Sequence, residues 1–124
     1  MNILQTIHHA GQAATTIFAE HIGDTDITIR QVALMAAIKD DPGASQTKLV
    51  GATGVDRSTL AEMTRRVVKK GWATRRRTKD DARTYAVNLT PDGLAILAKG
   101  KSAVAKTEKA LVEKFPAIKH LNGA

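Results

Sequence analysis

Between residues 45 and 71, two helix starts and two glycine stops follow so closely that they leave room for one motif. Ser45 and Asp56 can accept hydrogen bonds from the free N–H groups of a helix's first turn, and Gly54 and Gly71 can take the left-handed conformation that ends a helix. A short helix through Lys48, Leu49 and Val50 and a longer one from Arg57 to Lys70 must then be joined by a single tight turn. That is a helix-turn-helix unit.

The flanking segments extend the same logic. From Asn2 to Ile22, Ile3, Leu4, Ile7, Ala10, Ala14, Ile17 and Phe18 recur at three- and four-residue steps, the pattern of an amphipathic helix. Thr28 with Gln31, and Ile27 with Val32, read as a capping box and hydrophobic staple opening a second helix, which stops at Asp41-Pro42-Gly43. Trp72–Arg77 and Thr84–Leu89 read as strands, because Tyr85, Val87 and Leu89 alternate, with a polar turn over 78–83 between them. Thr90-Pro91-Asp92-Gly93 opens the last long helix, which Pro116 ends. Along it Leu97, Val104 and Leu111 repeat every seven residues, flanked by Leu94 and Phe115. That seam can pair with another helix, although Lys101 and Glu108 interrupt it. The chain of 124 residues is expected to be one mainly α domain with a small β-hairpin.

Charge then narrows the partner. Residues 57–83 hold ten of the nineteen Lys/Arg and three of the twelve Asp/Glu, so this stretch carries +7, the whole formal charge of the chain. A basic excess confined to one stretch is the footprint of a polyanion, with nucleic acid foremost. Aromatics make up only 3% of residues, too few for a single-strand stacking platform. The absence of cysteine excludes disulfides, thiolate zinc sites and thiol redox switches. Neither a signal peptide nor a membrane-spanning stretch is visible, so a cytoplasmic protein without a membrane partner is expected.

Projected at 100° per residue, the helix after Asp56 sorts its side chains by role. Leu60, Met63, Thr64 and Val67 form the core face, and Ser58, Glu62, Arg65 and Lys69 lie opposite, with Thr59 and Arg66 on one flank. The outward face is small at its start and basic toward its end, which suits close approach to base edges followed by reach to phosphate or guanine. Glu62 can accept from a cytosine amino group or pair with Arg65 or Arg66 one turn on. Arg57, Ser58, Thr59, Glu62, Arg65, Arg66 and Lys69 are therefore candidate DNA-binding residues, joined by Arg77 and Lys79 at the hairpin. Arg75, Arg76 and Arg77 alternate across a strand and cannot all face one partner.

Asp56-Arg57-Ser58-Thr59-Leu60, Lys70-Gly71-Trp72, Asp81-Ala82-Arg83 and Leu89-Thr90-Pro91-Asp92-Gly93 together resemble a short member of the MarR family of winged helix-turn-helix transcription regulators. The resemblance covers about residues 28 to 95 and implies a winged helix-turn-helix lobe over 28–90, flanked by dimerisation helices at 1–22 and 91–124. It further implies a homodimer with recognition helices in successive major grooves and wings in the adjacent minor grooves. By position, Arg83 is then the wing arginine and Asp81 the acid that orients it, while Ala82 stands where many members carry a second arginine. Ile3, Leu4 and Ile7 of the first helix and Leu97, Val104, Leu111 and Phe115 of the last become candidate dimer-interface residues. Members of the family often answer to a small-molecule effector, and nothing in this chain names one.

Plainer readings stand beside these. The basic helix face is also what a solvated helix looks like, and Arg83 can bridge to Asp80 or Asp81 alone. His8 and His9 diverge on a helix and His21 and His120 stand apart, so no metal site is expected. No nucleophile–base pair, glycine-rich phosphate loop or cofactor motif is present, so neither an enzyme nor a cofactor is expected. Two classes remain: a sequence-specific dimeric regulator, expected to repress at a pseudo-palindromic site, and a sequence-tolerant architectural protein that binds through phosphates.

Overall fold

In the computed structural model, residues 2–78 and 85–121 are described. The elements in chain order are α1 (Ile3–Ile22), α2 (Ile29–Asp40), β1 (Ala44–Ser45), α3 (Gln46–Thr53), α4 (Arg57–Lys69), β2 (Ala73–Arg77), β3 (Tyr85–Leu89), α5 (Pro91–Lys114) and a terminal 3-10 helix (Pro116–Leu121). Residues 30–98 form one compact unit, and residues 1–29 with 99–124 form another. None of the helices among the described residues is long and apolar enough to cross a membrane.

The 30–98 unit is built on the helix-turn-helix. Ser45 caps α3 by accepting from the Lys48 N–H, and α3 ends at Gly54 with φ 70°. Asp56 caps α4 by accepting from the Thr59 N–H. At the far end of α4, Gly71 (φ 79°) donates to the Val68 carbonyl and the Trp72 N–H donates to the Val67 carbonyl, both at 3.0 Å. This double closure is a Schellman motif. It explains why the strand opens at Ala73 rather than at Trp72: the Trp72 N–H is already taken by the helix.

The sheet has three strands in the order β1-β3-β2, all antiparallel. The hairpin was legible in the alternation of residues 85–89; β1 was not, since two residues are too few to alternate. Ala44 pairs with Val87 and Ser45 with Ala86, on the edge of β3 that β2 leaves open. The core of this unit is Val32, Leu34, Met35 and Ile38 of α2, Leu49 of α3, Leu60 and Val67 of α4, Ala44, Ala73 and Val87 of the sheet, and Leu97 of α5. Thr64 is also fully buried, and its hydroxyl has no hydrogen-bond partner among the described residues.

Thr90 joins the hairpin to α5. Its N–H donates to the Trp72 carbonyl at 3.0 Å, its hydroxyl donates to the Gly71 carbonyl at 2.6 Å, and the same oxygen accepts from the Gly93 N–H at 3.0 Å. Gly93 packs directly on backbone: a Cβ there would stand 1.9 Å from the Trp72 carbonyl oxygen.

In the other unit, α1 starts with a full capping box between Asn2 and Gln5. Phe18, Ala103 and Thr107 are buried, whereas Ile3, Leu4 and Ile7 are 77%, 78% and 56% exposed.

Candidate nucleic-acid interface

The outward face of α4 carries the candidate site. Leu60, Thr64 and Val67 anchor the helix in the core, which leaves Arg57, Ser58, Glu62, Arg65, Arg66 and Lys69 exposed and Thr59 and Met63 half-buried. The face is therefore set by the burial of its opposite side, as the 100° projection requires.

Its N-terminal end is pinned by the cap. Asp56 accepts from the Ser58 hydroxyl at 2.8 Å and from the Thr59 N–H at 3.1 Å. Hydrogen bonding from the Thr59 side chain, then from Ser58 and the Thr59 N–H, pulls the Asp56 carboxyl down to about 2. The carboxylate thus orients both small side chains at the start of the helix. Arg57 reaches back to α3, its Nη2 donating to Thr47 Oγ1 at 3.0 Å, so in this state it ties the two helices together.

Along the middle, Glu62 pairs with the arginines one turn on. It accepts from Arg65 Nε at 3.0 Å and Nη2 at 2.7 Å, and from Arg66 Nε at 3.1 Å. Those hydrogen bonds, Arg65 first and Arg66 second, bring its carboxyl to about 2. The same contact raises the Arg65 guanidinium further. Lys69 is exposed one turn beyond.

The fold adds a residue that no local pattern signals. Arg30, in the first turn of α2, lines a hollow of about 390 Å³ together with Ser58, Thr59, Glu62, Met63 and Arg66. It lies far from α4 in sequence, and only the fold brings it to this face.

At the hairpin, Arg77 sits directly across from Tyr85 in the ladder and Arg75 across from Val87. The Arg75 and Arg77 guanidiniums lie over the Tyr85 ring, 5.3 and 5.9 Å from its centroid, while Arg76 points to the opposite face by strand alternation. Lys79, Asp81 and Arg83 lie outside the described residues.

The candidate dimer residues divide between the two units. Ile3, Leu4 and Ile7 are exposed, and Val104, Leu111 and Phe115 are half-buried, all in the unit formed by 1–29 and 99–124. Leu97, at 1% exposure, belongs to the core of the 30–98 unit. The boundary between the units falls within α5, between residues 98 and 99.

The MarR family profile matches residues 27–85, the span from two residues before α2 to the first residue of β3. A Thauera aromatica protein described as a putative transcriptional regulatory protein for the hcr operon is 32% identical over 98 residues. Over this span the chain is similar to MarR-family regulators. The HosA transcriptional regulator of Escherichia coli O157:H7 is 41% identical over 73 residues. These matches take in 78% and 59% of this chain and span 59% and 54% of the two relatives' lengths. Among solved structures, a mutant of Escherichia coli MarR complexed with operator DNA superposes with a TM-score of 0.79 at 25% identity, covering 94% of this chain and 88% of that one. The winged helix-turn-helix architecture is thus common to this chain and to MarR-family regulators.

Proposed function

We propose that this chain is a sequence-specific DNA-binding transcriptional repressor that acts as a homodimer on a pseudo-palindromic operator. The helix over 56–70 enters the major groove, and the wing over 78–83 enters the adjacent minor groove. The observation that carries this reading is the exposed face of α4: two small hydroxyl side chains ordered by Asp56, followed by Arg65, Arg66 and Lys69. A binder of phosphates alone gains nothing from Ser58 and Thr59 at the leading end, whereas a reader of base edges needs small residues there. The MarR structure with operator DNA supports the same assignment by likeness.

The exposed Ile3, Leu4 and Ile7 support self-association, because apolar side chains grouped on one helix face gain by mutual burial. Selection from a random duplex library tests the reading. An enriched motif with two half-sites about one helical turn apart is expected. Recovery with no enriched motif would replace it with the architectural reading.

A further inference from the structure

The hairpin carries an arrangement that the α4 reading does not use. Arg75 and Arg77 share one face of β2, two residues apart, with Tyr85 opposite Arg77 on β3. This face begins in the core with Ala73 and Val87 and ends in two exposed guanidiniums over a half-buried ring. Two like charges held on one ring repel each other, and the negative face of the tyrosine offsets that repulsion. Neither arginine has a carboxylate partner among the described residues. A guanidinium stacked on an aromatic face keeps its in-plane N–H groups free, in the fork geometry that matches a phosphate.

We propose that Tyr85 is a positioning residue that holds Arg75 and Arg77 as a paired clamp for the phosphate backbone of duplex DNA beside the recognition helix. The clamp rests on the DNA-binding reading above and adds Arg75 and Tyr85 to it. It contains two planar cations and no small polar side chain for base edges, so it contributes affinity without sequence preference.

The test measures binding of the full chain and its variants to a library-selected duplex and to a scrambled duplex across salt. Tyr85→Leu is expected to weaken both duplexes equally, by about threefold to fivefold, the scale of exposed cation–π contacts. Arg75→Ala is expected to weaken both and to lower the salt slope by about one. Tyr85→Phe keeps the ring and should bind as the parent does. In an Arg75→Ala/Arg77→Ala background, Tyr85→Leu should cost nothing further, an outcome that a merely structural tyrosine would not give. Four results would overturn the clamp: no loss in Tyr85→Leu, a loss confined to the selected duplex, an equal loss in Tyr85→Phe, or an undiminished loss in the double-alanine background. If Tyr85→Leu does not melt cooperatively, Arg75→Ala decides alone, and unchanged affinity there overturns the proposal. A parent chain that binds no duplex contradicts the DNA-binding reading and the clamp together, whereas normal parent binding with an inert Arg75 and Tyr85 contradicts the clamp only.

Discussion

Glu62 holds Arg65 by two points, with Arg65 Nη2 2.7 Å from Oε1 and Arg65 Nε 3.0 Å from Oε2, and the same carboxylate also takes Arg66. An acid thus sits in the middle of the basic face and engages two of its cations. On DNA this arrangement opposes indiscriminate binding, because each arginine must leave a carboxylate to meet a phosphate and the carboxylate itself repels phosphate. Removing the charge should loosen discrimination. Glu62→Gln is expected to bind a scrambled duplex about tenfold more tightly at low salt, with a salt slope steeper by about 0.9 and a smaller ratio of selected to scrambled affinity. Fluorescence anisotropy across salt reads all three, and an unchanged scrambled-duplex affinity would show that the arginines are already free to bind.

Gly93 should resist the substitution that helix propensity favours. Alanine inside a helix is better than glycine by about 1 kcal/mol, but the added Cβ would meet the Trp72 carbonyl oxygen at 1.9 Å. That neighbour is backbone, held by its bond from the Thr90 N–H, and cannot swing aside. Gly93→Ala is therefore expected to destabilise the chain by about 3 kcal/mol, measured by denaturant melting. A stabilised variant would mean that the hairpin base and α5 do not pack this way.

Thr64 points to a gain. It is fully buried on the core face of α4, and its hydroxyl has no hydrogen-bond partner among the described residues. Valine has the same shape without the polar atom, so Thr64→Val should stabilise by about 1 kcal/mol and raise Tm by a few degrees. A lower Tm would reveal a hydrogen bond to that hydroxyl.

The cap of α4 fixes an acid dependence. Asp56 is held at about 2, below the ordinary range near 4, chiefly by the Thr59 and Ser58 side chains. Between those values the unfolded chain binds more protons than the native one, so the contribution is complete above about pH 5 and is lost as pH falls through the native value. Asn caps about as well as Asp but does not titrate there. Melting curves of Asp56→Asn should fall less steeply than the parent's between pH 5 and pH 2, while Asp56→Ala should melt lower at neutral pH. Parallel pH profiles for Asp56→Asn and the parent would remove the cap as the source.

The extent to which the sequence foretold this structure follows the range of the interactions. Ser45, Asp56, Gly54 and Gly71 act on groups within a few residues, and each helix boundary they imply lies where expected. The α4 face was legible for the same reason, since Leu60, Thr64 and Val67 fix it by period alone. Features that depend on distant segments were not. β1 exists because β3 has an open edge, and Arg30 lines the hollow beside α4 because the fold, not the local sequence, brings it there. Glu62 is an intermediate case: the sequence allowed two partners, and in the structure its carboxylate meets Arg65 and Arg66.

The most direct test of the central claim is the affinity of the full chain for its library-selected duplex against a scrambled one at physiological salt, with stoichiometry measured on the same samples. A preference of roughly a thousandfold or more, saturating at two protomers per duplex, is the predicted result. Equal affinity for both duplexes with a steep salt slope would contradict it and leave a protein that reads phosphates alone.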